Sequence, residues 1–224
     1  MAEFVSVRCR DAACRRSFHV TSRDLGRNVF CLYCGKRMTA RPARIEAELS
    51  EREQRIAGGA GAPQSRLPLR VIVDNVRSLW NVGSIFRSAD ACGVEELILT
   101  GITGCPPRPE IAKTALGAEE MVRWRYVAEP ASACDALAAE GFVPVVLERG
   151  GGAVELDAFR WPERVCLIVG NEVAGVGTEL LSRDLRRVAI PMYGGKESFN
   201  VAVAFGIAGH SAARALTARK QQAR

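Results

Sequence analysis

An α/β domain built on a mostly parallel sheet, preceded by a small zinc-ribbon-like module, is the fold class predicted by this 224-residue sequence. Three observations carry it. From residue 69 onward short apolar strand-like runs alternate with helix-like segments, the order that layered α/β domains require. Four cysteines, Cys9, Cys14, Cys31 and Cys34, stand close together near the N-terminus at C-x4-C and C-x2-C spacing. Between the two regions lies "GGAGAPQSRLP", residues 58–68, a Gly/Pro-rich linker. The expected organisation is a module over residues 1–41, a connector over 42–68 and the main domain over 69–224.

In the module, β-like pieces ("FVSVRC", "SFHVTS", "NVFCLYC") alternate with turn-prone "RDAAC", "RDLGRN" and "CGKRM", which places the cysteines in knuckle-like turns. Paired cysteines of this spacing suit a tetrahedral zinc site, which closes turns that lack a core of their own. His19 lies between the pairs and is expected in solvent. Cys92, Cys105, Cys134 and Cys166 sit in apolar surroundings and read as small hydrophobes. The net charge of +6 is concentrated at this end: residues 1–44 carry ten Lys/Arg against three Asp/Glu, or +7, which leaves −1 for the rest. With Phe18, Phe30 and Tyr33 interleaved among the cations, the module reads as facing nucleic acid, with protein docking as the alternative. Next, "RPARIEAELSEREQRI" has Pro42 placed for a first helical turn and a thin stripe of Ile45, Leu49 and Ile56, the pattern of a connecting helix.

The main domain runs through "LRVIVDNV", "NVGSIFRSADAC", "ELILTGI", "KTALGAEEM", "VRWRYV", "ASACDALAAEG", "FVPVVLE", "VCLIVGNE", "GTELLSRDL", "RRVAIPM" and "SFNVAVAFGIAGHSAARAL". In the last of these, "VAVAFGIA" offers no polar face over two turns, so its helix is expected to be buried on all sides, by the core or by a second subunit. No run of 18 apolar residues is present, and "MAEFVSVRCRD" lacks the apolar centre of a signal peptide. The expectation is a soluble, cytoplasmic protein with no membrane partner.

The chain has no G-x-x-x-x-G-K-[ST] and no G-x-G-x-x-G after its first strand, so ordinary nucleotide-binding turns are excluded. "RGGGA", residues 149–153, reads as a loop. Three stretches instead stand at strand ends, where open α/β sheets bind ligands. In "NVGSIFRSAD" (81–90), Asn81 suits a helix N-cap and Gly83 permits close backbone approach. Val82, Ile85, Phe86 and Ala89 form an apolar stripe from which Arg87 projects away, as a solvated arginine would. In "IVGNEVAGVG" (168–177), a core strand ends at Gly170 and Glu172 stands at its lip among glycines that expose backbone groups to a small polar ligand. In "IPMYGGKESFNVAVA" (190–204), Ser198 reads as an N-cap, with Asn200 at the helix start.

The order N-x-G-x-x-x-R-[small]-A, V-G-N-E-x-x-G and I-P-M-x-G-x-x-x-S-[apolar]-N-V-x-V-A resembles the three signature motifs of the SpoU/TrmH family of RNA ribose 2′-O-methyltransferases, in the SPOUT superfamily. The resemblance covers roughly residues 69–217, with "TALGAEE" (114–120) similar to a further family segment. Phe199 where leucine is usual and Ala202 where serine is common are its departures. It implies a C-terminal trefoil knot that holds S-adenosylmethionine, and a homodimer whose site is built across the interface. Cofactor contacts would come from Thr100, Gly170, Ile190 and Met192, largely through backbone, with Phe199 beside them. Arg87 would be the central catalytic residue. A guanidinium stays protonated, so its role is to fix the RNA phosphate and stabilise the developing alkoxide rather than to act as base. Asn81, Glu172, Ser198 and Asn200 would shape and orient the site. The substrate implied is tRNA or rRNA. A noncatalytic RNA-binding or ribosome-assembly factor on the same scaffold is the alternative, since fold alone does not confer activity.

Overall fold

The run Val165–Val169 is buried at every residue, which a strand tolerates only where both faces of its sheet are covered. The computed structural model, which describes residues 4–14, 16–40, 57–58 and 66–222, places it near the middle of such a sheet. At the N-terminus, β1 (Phe4–Arg8) pairs antiparallel with β2 (Ser17–Thr21), and β3 (Asn28–Phe30) with β4 (Arg37–Thr39). The last strand begins inside "CGKRM", which the sequence reads wholly as a turn. The large sheet takes β5 (Ala57–Gly58), β6 (Leu67–Asp74), β7 (Val94–Thr100), β8 (Arg123–Val127), β9 (Val143–Leu147), β10 (Val154–Glu155), β11 (Val165–Val169) and β12 (Arg186–Ala189). Its order is β10-β12-β9-β11-β6-β7-β8-β5, and every pairing is parallel except β5 with β8. The first parallel strand of the sheet begins at Leu67 and its antiparallel edge is Ala57–Gly58, while the connecting helix expected over 42–56 lies outside the described residues.

Strand alternation divides the core. Leu69, Val71, Val73, Leu97, Leu99 and Leu167 face one layer, where α1 (Leu79–Ala91), α2 (Pro109–Ala115), α3 (Ala118–Met121) and the last helix pack. Ile72, Ile98, Val146 and Ile168 face the other, against α4 (Pro130–Ala139) and α5 (Thr178–Leu181). The period of two that puts successive side chains on opposite faces is the reason one apolar run serves both layers. "KTALGAEEM" forms two short helices rather than one, because Leu116 and Gly117 take positive φ, 52° and 88°.

Two expected caps shift. Helix α1 starts two residues before Asn81, and Ser78 Oγ accepts from the Asn81 backbone N–H at 3.3 Å. The last helix, α6 (Val201–Gln222), is capped not by Ser198 but by Asn200 Oδ1, which accepts from the N–H groups of Ala202 (3.0 Å) and Val203 (3.4 Å). Within the single chain α6 is covered on one side only. Val201, Ala202, Phe205, Ala208 and Gly209 pack inward, but Val203 and Ile207, one turn apart, face outward with Phe199 just ahead of them. By length and mean hydropathy (1.2) α6 could cross a membrane, yet its inner face packs on α1, β6 and β11 as a core helix does.

The N-terminal module is docked on the large sheet. His19, expected in solvent, is buried: its Nδ1 lies 3.2 Å from Tyr126 Oη and its Nε2 3.4 Å from Glu129 Oε1. Tyr33 meets the Tyr126 ring edge-on at 5.8 Å between centroids, and Arg108 Nη1 donates to the Cys31 carbonyl at 2.8 Å.

Close approach of α1 to α2 depends on Gly83. A Cβ there would stand 2.0 Å from Thr114 Oγ1 and 2.3 Å from the Ile111 carbonyl oxygen, and the second contact is backbone that cannot turn aside. Gly83→Ala is expected to lower stability by about 1–3 kcal/mol, the range for overpacking a tight contact, measured as a fall in the urea midpoint.

Candidate functional site

At one end of the parallel sheet the carboxyl ends of β9, β11 and β12 open into a cavity of about 550 Å³, within the size range of small-molecule sites. Its walls include Leu147, Gly170, Ile190, Met192, Ser198 and Phe199. Four of the five residues expected to hold a cofactor therefore line it. The fifth, Thr100, does not: it is fully buried, with Oγ1 donating to the Val73 carbonyl at 3.3 Å.

Behind β11 the chain makes a tight loop, with Asn171 and Gly175 exchanging backbone hydrogen bonds of 2.8 and 3.0 Å. The Asn171 side chain fastens this loop from both sides, accepting from Val173 N and Ala174 N through Oδ1 and donating to the Asn75 carbonyl at 2.7 Å. Gly170 is required by packing, since a Cβ would lie 2.3 Å from both Gly175 C and Val176 N.

The loop delivers Glu172 to the start of α1. Its Oε2 accepts from Arg77 N (3.0 Å), and its Oε1 accepts from Ser78 N (2.9 Å) and Asn81 Nδ2 (2.9 Å). Asn81 Oδ1 in turn accepts from Asn200 Nδ2 at 3.0 Å. Residues from all three strand-end stretches are thus joined in one chain of hydrogen bonds beside the cavity. Partial burial would raise the Glu172 carboxyl, but the two backbone donors and the Asn81 amide outweigh it and hold the group below the usual glutamate range. An ionised carboxylate saturated by three donors fixes geometry and is poorly placed to accept a proton.

Arg87 does not line the cavity. It is exposed and has no hydrogen-bond or ion-pair partner among the described residues. Six positions beyond Asn81, it lies about 9 Å along the helix and roughly 120° around it. Ser198 and Glu172 border the cavity, Asn81 and Asn200 stand behind it, and Arg87 is separate.

Several neighbours escape sequence reasoning. Asp74, at the end of β6, is fully buried, and burial pushes its carboxyl up to about 6 against the donors that lower it, Gly177 N first among them. Glu148 lines the cavity, and its Oε2 accepts from Val176 N at 3.3 Å. A carboxylate immediately before the "RGGG" loop was the available signal. Trp80 is half exposed beside Asn81, with the Lys113 ammonium 5.6 Å from its ring centroid.

A second cluster lies in the N-terminal module. Sγ atoms of Cys9 and Cys34, and of Cys14 and Cys31, stand 3.7 Å apart, and all four lie within 4.8 Å of one another. Four thiolates around one ion at about 2.3 Å would be about 3.8 Å apart, whereas disulfide sulfurs are about 2.05 Å apart. Positive φ at Gly35 (72°) and the 2.9 Å bond from its N–H to the Cys31 carbonyl shape the second knuckle.

A family model described as the SpoU rRNA Methylase family matches residues 68–210. The chain is 32% identical over 163 residues to the 23S rRNA (guanosine(2553)-2′-O)-methyltransferase RlmP of Bacillus subtilis, covering 70% of this chain and 64% of that protein. It is 31% identical over 146 residues to a tRNA (guanosine(18)-2′-O)-methyltransferase of Aquifex aeolicus, covering 65% and 69%. Among solved structures, an AdoMet-bound rRNA methyltransferase from Sinorhizobium meliloti superposes with a TM-score of 0.61 at 30% identity, covering 66% of this chain and 56% of that one. The chain spans about half to two thirds of the length of the curated relatives it matches.

The Glu172 anchor can be tested apart from any activity. In Glu172→Gln an amide NH2 must face at least one of the donors the carboxylate now satisfies, an expected loss of about 1–3 kcal/mol in denaturant unfolding near neutral pH. A carboxyl held below its ordinary value stabilises above the unfolded value of about 4.5 and loses that contribution as pH falls through the folded one. The gap between the two proteins should therefore narrow on acidification below about pH 4.5.

Proposed function

The chain belongs to the SpoU rRNA methylase family, and from that premise we propose that it transfers a methyl group from S-adenosylmethionine to a ribose 2′-hydroxyl of rRNA or tRNA. The observation that carries this reading is the hydrogen-bonded chain Glu172–Asn81–Asn200, which draws three separate sequence stretches to the edge of one strand-end cavity. The cofactor, when bound, supplies an electrophilic methyl on a sulfonium centre. Backbone around Gly170, Ile190 and Met192 would bind its polar groups, and Phe199 would give an apolar wall. Transfer would need the ribose oxygen aligned behind that methyl, with the hydroxyl proton passing to solvent water and a neutral thioether departing as the S–CH3 bond breaks, so positioning and charge stabilisation dominate. Glu172, saturated by donors, holds the site together. Arg87, always cationic, would grip the RNA phosphate and stabilise the developing alkoxide.

Arg87 stands away from the cavity of its own chain, and this supports a site shared between two copies. The outward stripe of Phe199, Val203 and Ile207 is an apolar surface that a second copy would cover, and such a dimer would bring Arg87 of one copy to the cavity of the other. We also infer a trefoil knot in the C-terminal part, supported by the contact of Gly170 with the Gly175–Val176 backbone and by the bond from Gly177 N to Asp74. The four cysteines are proposed to hold a structural zinc, supported by their sulfur spacing, in the reducing cytoplasm.

Incubating the full chain with methyl-labelled S-adenosylmethionine and purified rRNA or tRNA should place label on ribose 2′-oxygens. Cofactor binding with no transfer to either RNA would instead favour the noncatalytic RNA-binding reading. Arg87→Ala is expected to reduce transfer on the order of a hundredfold with cofactor affinity nearly unchanged, and Arg87→Lys to be almost as impaired, since lysine lacks the planar fork. Mixing Arg87→Ala with a cavity-blocked Ile190→Trp protein should restore activity, because one shared site is then intact. Were Arg87 to act within its own chain, the mixture would stay inactive. For the metal, elemental analysis should find about one zinc per chain, lost in Cys31→Ser/Cys34→Ser together with module folding.

A further inference from the structure

The family match begins at residue 68 and leaves the N-terminal module without a role. Its β3–β4 hairpin turns two different faces outward and inward. Val29 and Met38 pair on the inner face, where Met38 is buried and Val29 packs against the core. Phe30 pairs directly across from Arg37, and both are exposed, the phenyl ring by 63%. Directly opposed residues have Cβ atoms about 4.5–5.5 Å apart, so the two side chains leave the hairpin side by side. Among the described side chains of the module, no other large apolar group is exposed.

We propose that Phe30 and Arg37 form a platform that stacks one unpaired base of the RNA substrate and holds the adjoining phosphate. The proposal rests on the RNA reading above and deepens it, because it makes the substrate an RNA with a single-stranded nucleotide away from the methylated ribose. The surroundings favour this occupant. Arg23, Arg27 and Arg37 are exposed with no ion-pair partner among the described residues, and the first 44 residues carry +7 against −1 for the rest. A lone ring amid unpaired cations is too small an apolar surface for a protein interface, but it is the combination that single-stranded nucleic acid requires: a stacking face with a cationic track beside it. A duplex, whose bases are already stacked, gains nothing from the ring. The platform is also held in place, because the residue after Phe30 is Cys31, a member of the sulfur cluster whose carbonyl accepts from Arg108 of the main domain.

The test uses the full chain and two probes, a fluorescein-labelled oligouridylate and a blunt RNA duplex, followed by anisotropy over a range of salt. Phe30→Ala is expected to weaken oligouridylate binding about tenfold, the effect of losing one stack, with the salt slope and duplex affinity unchanged. Phe30→Trp should bind like the parent, and Arg37→Ala should make the salt slope shallower by about 0.7. Zinc content and circular dichroism confirm that each variant is folded. Unchanged oligouridylate affinity in Phe30→Ala, an equal loss toward duplex, or a Phe30→Trp protein as weak as Phe30→Ala would overturn the platform. Methyl transfer to RNA with a silent Phe30→Ala would sink the platform alone, whereas Phe30-dependent binding without any transfer would uphold the platform and sink the enzymatic reading.

Discussion

The carboxylate of Glu172 ties together pieces of chain that are more than ninety residues apart. It takes the N–H groups of Arg77 and Ser78 at the entry to α1 and the amide of Asn81 in its first turn. These N–H groups belong to the N-cap residue Ser78 and the residue before it, and a negative charge at a helix start is favoured by the helix dipole. Asn81, turned by this contact, presents its oxygen to Asn200 at the start of α6. One ionised side chain thus links α1 and the β11 loop and, through Asn81, braces the packing of α6 on α1, with backbone donors strong enough to offset its burial.

Such a link works only if the backbones can come close enough, and glycine sets that limit. At Gly170 the strand end touches the returning loop so closely that no Cβ fits, and at Gly83 the same holds between α1 and α2. Both helices are fixed by contacts between main chains, which shift less readily than side chains. Asp74 occupies the seam between these pieces, taking the Gly177 N–H at 2.8 Å while fully buried. Burial raises its carboxyl, the reverse of Glu172, and the difference lies in donors: Glu172 is held mainly by N–H groups, whereas Asp74 has fewer of them and no solvent.

Periodicity made the α/β order of the main domain legible, because buried parallel strands must be apolar runs and the helices between them must show one apolar face. Arg87 leaving the stripe of Val82, Ile85, Phe86 and Ala89 was readable for the same reason, and all four are buried. What escaped was anything that depends on a partner distant in sequence. Asn81 has the composition of an N-cap, yet Ser78 takes that position and frees Asn81 to bond Glu172. His19 looks like a surface residue of a basic module until Tyr126 and Glu129, more than a hundred positions away, enclose it. The wholly apolar start of α6 was read as covered all round by the core or by a second subunit, and a single chain covers only the side that meets α1 and the sheet.

Docking of the N-terminal module adds a second route to the same end of the sheet. Tyr126 has one proton, which it donates to the Gly101 carbonyl at 2.8 Å, so the 3.2 Å contact with His19 needs the proton on His19 Nδ1. Gly101 follows Thr100 at the carboxyl end of β7, at the same end of the sheet as the cavity but with β6 between β7 and the cavity-lining β11. Tyr33 rests against the same Tyr126 ring, and Arg108 reaches Cys31 one residue beyond Phe30. The module is therefore attached through residues of its sulfur cluster and hairpin to the loops that follow β7 and β8, with a buried histidine and a buried tyrosine at the seam. A surface on that hairpin is held at a fixed distance from the cavity, and any RNA touching both would be selected for its shape between the two points as well as for the nucleotide at either one.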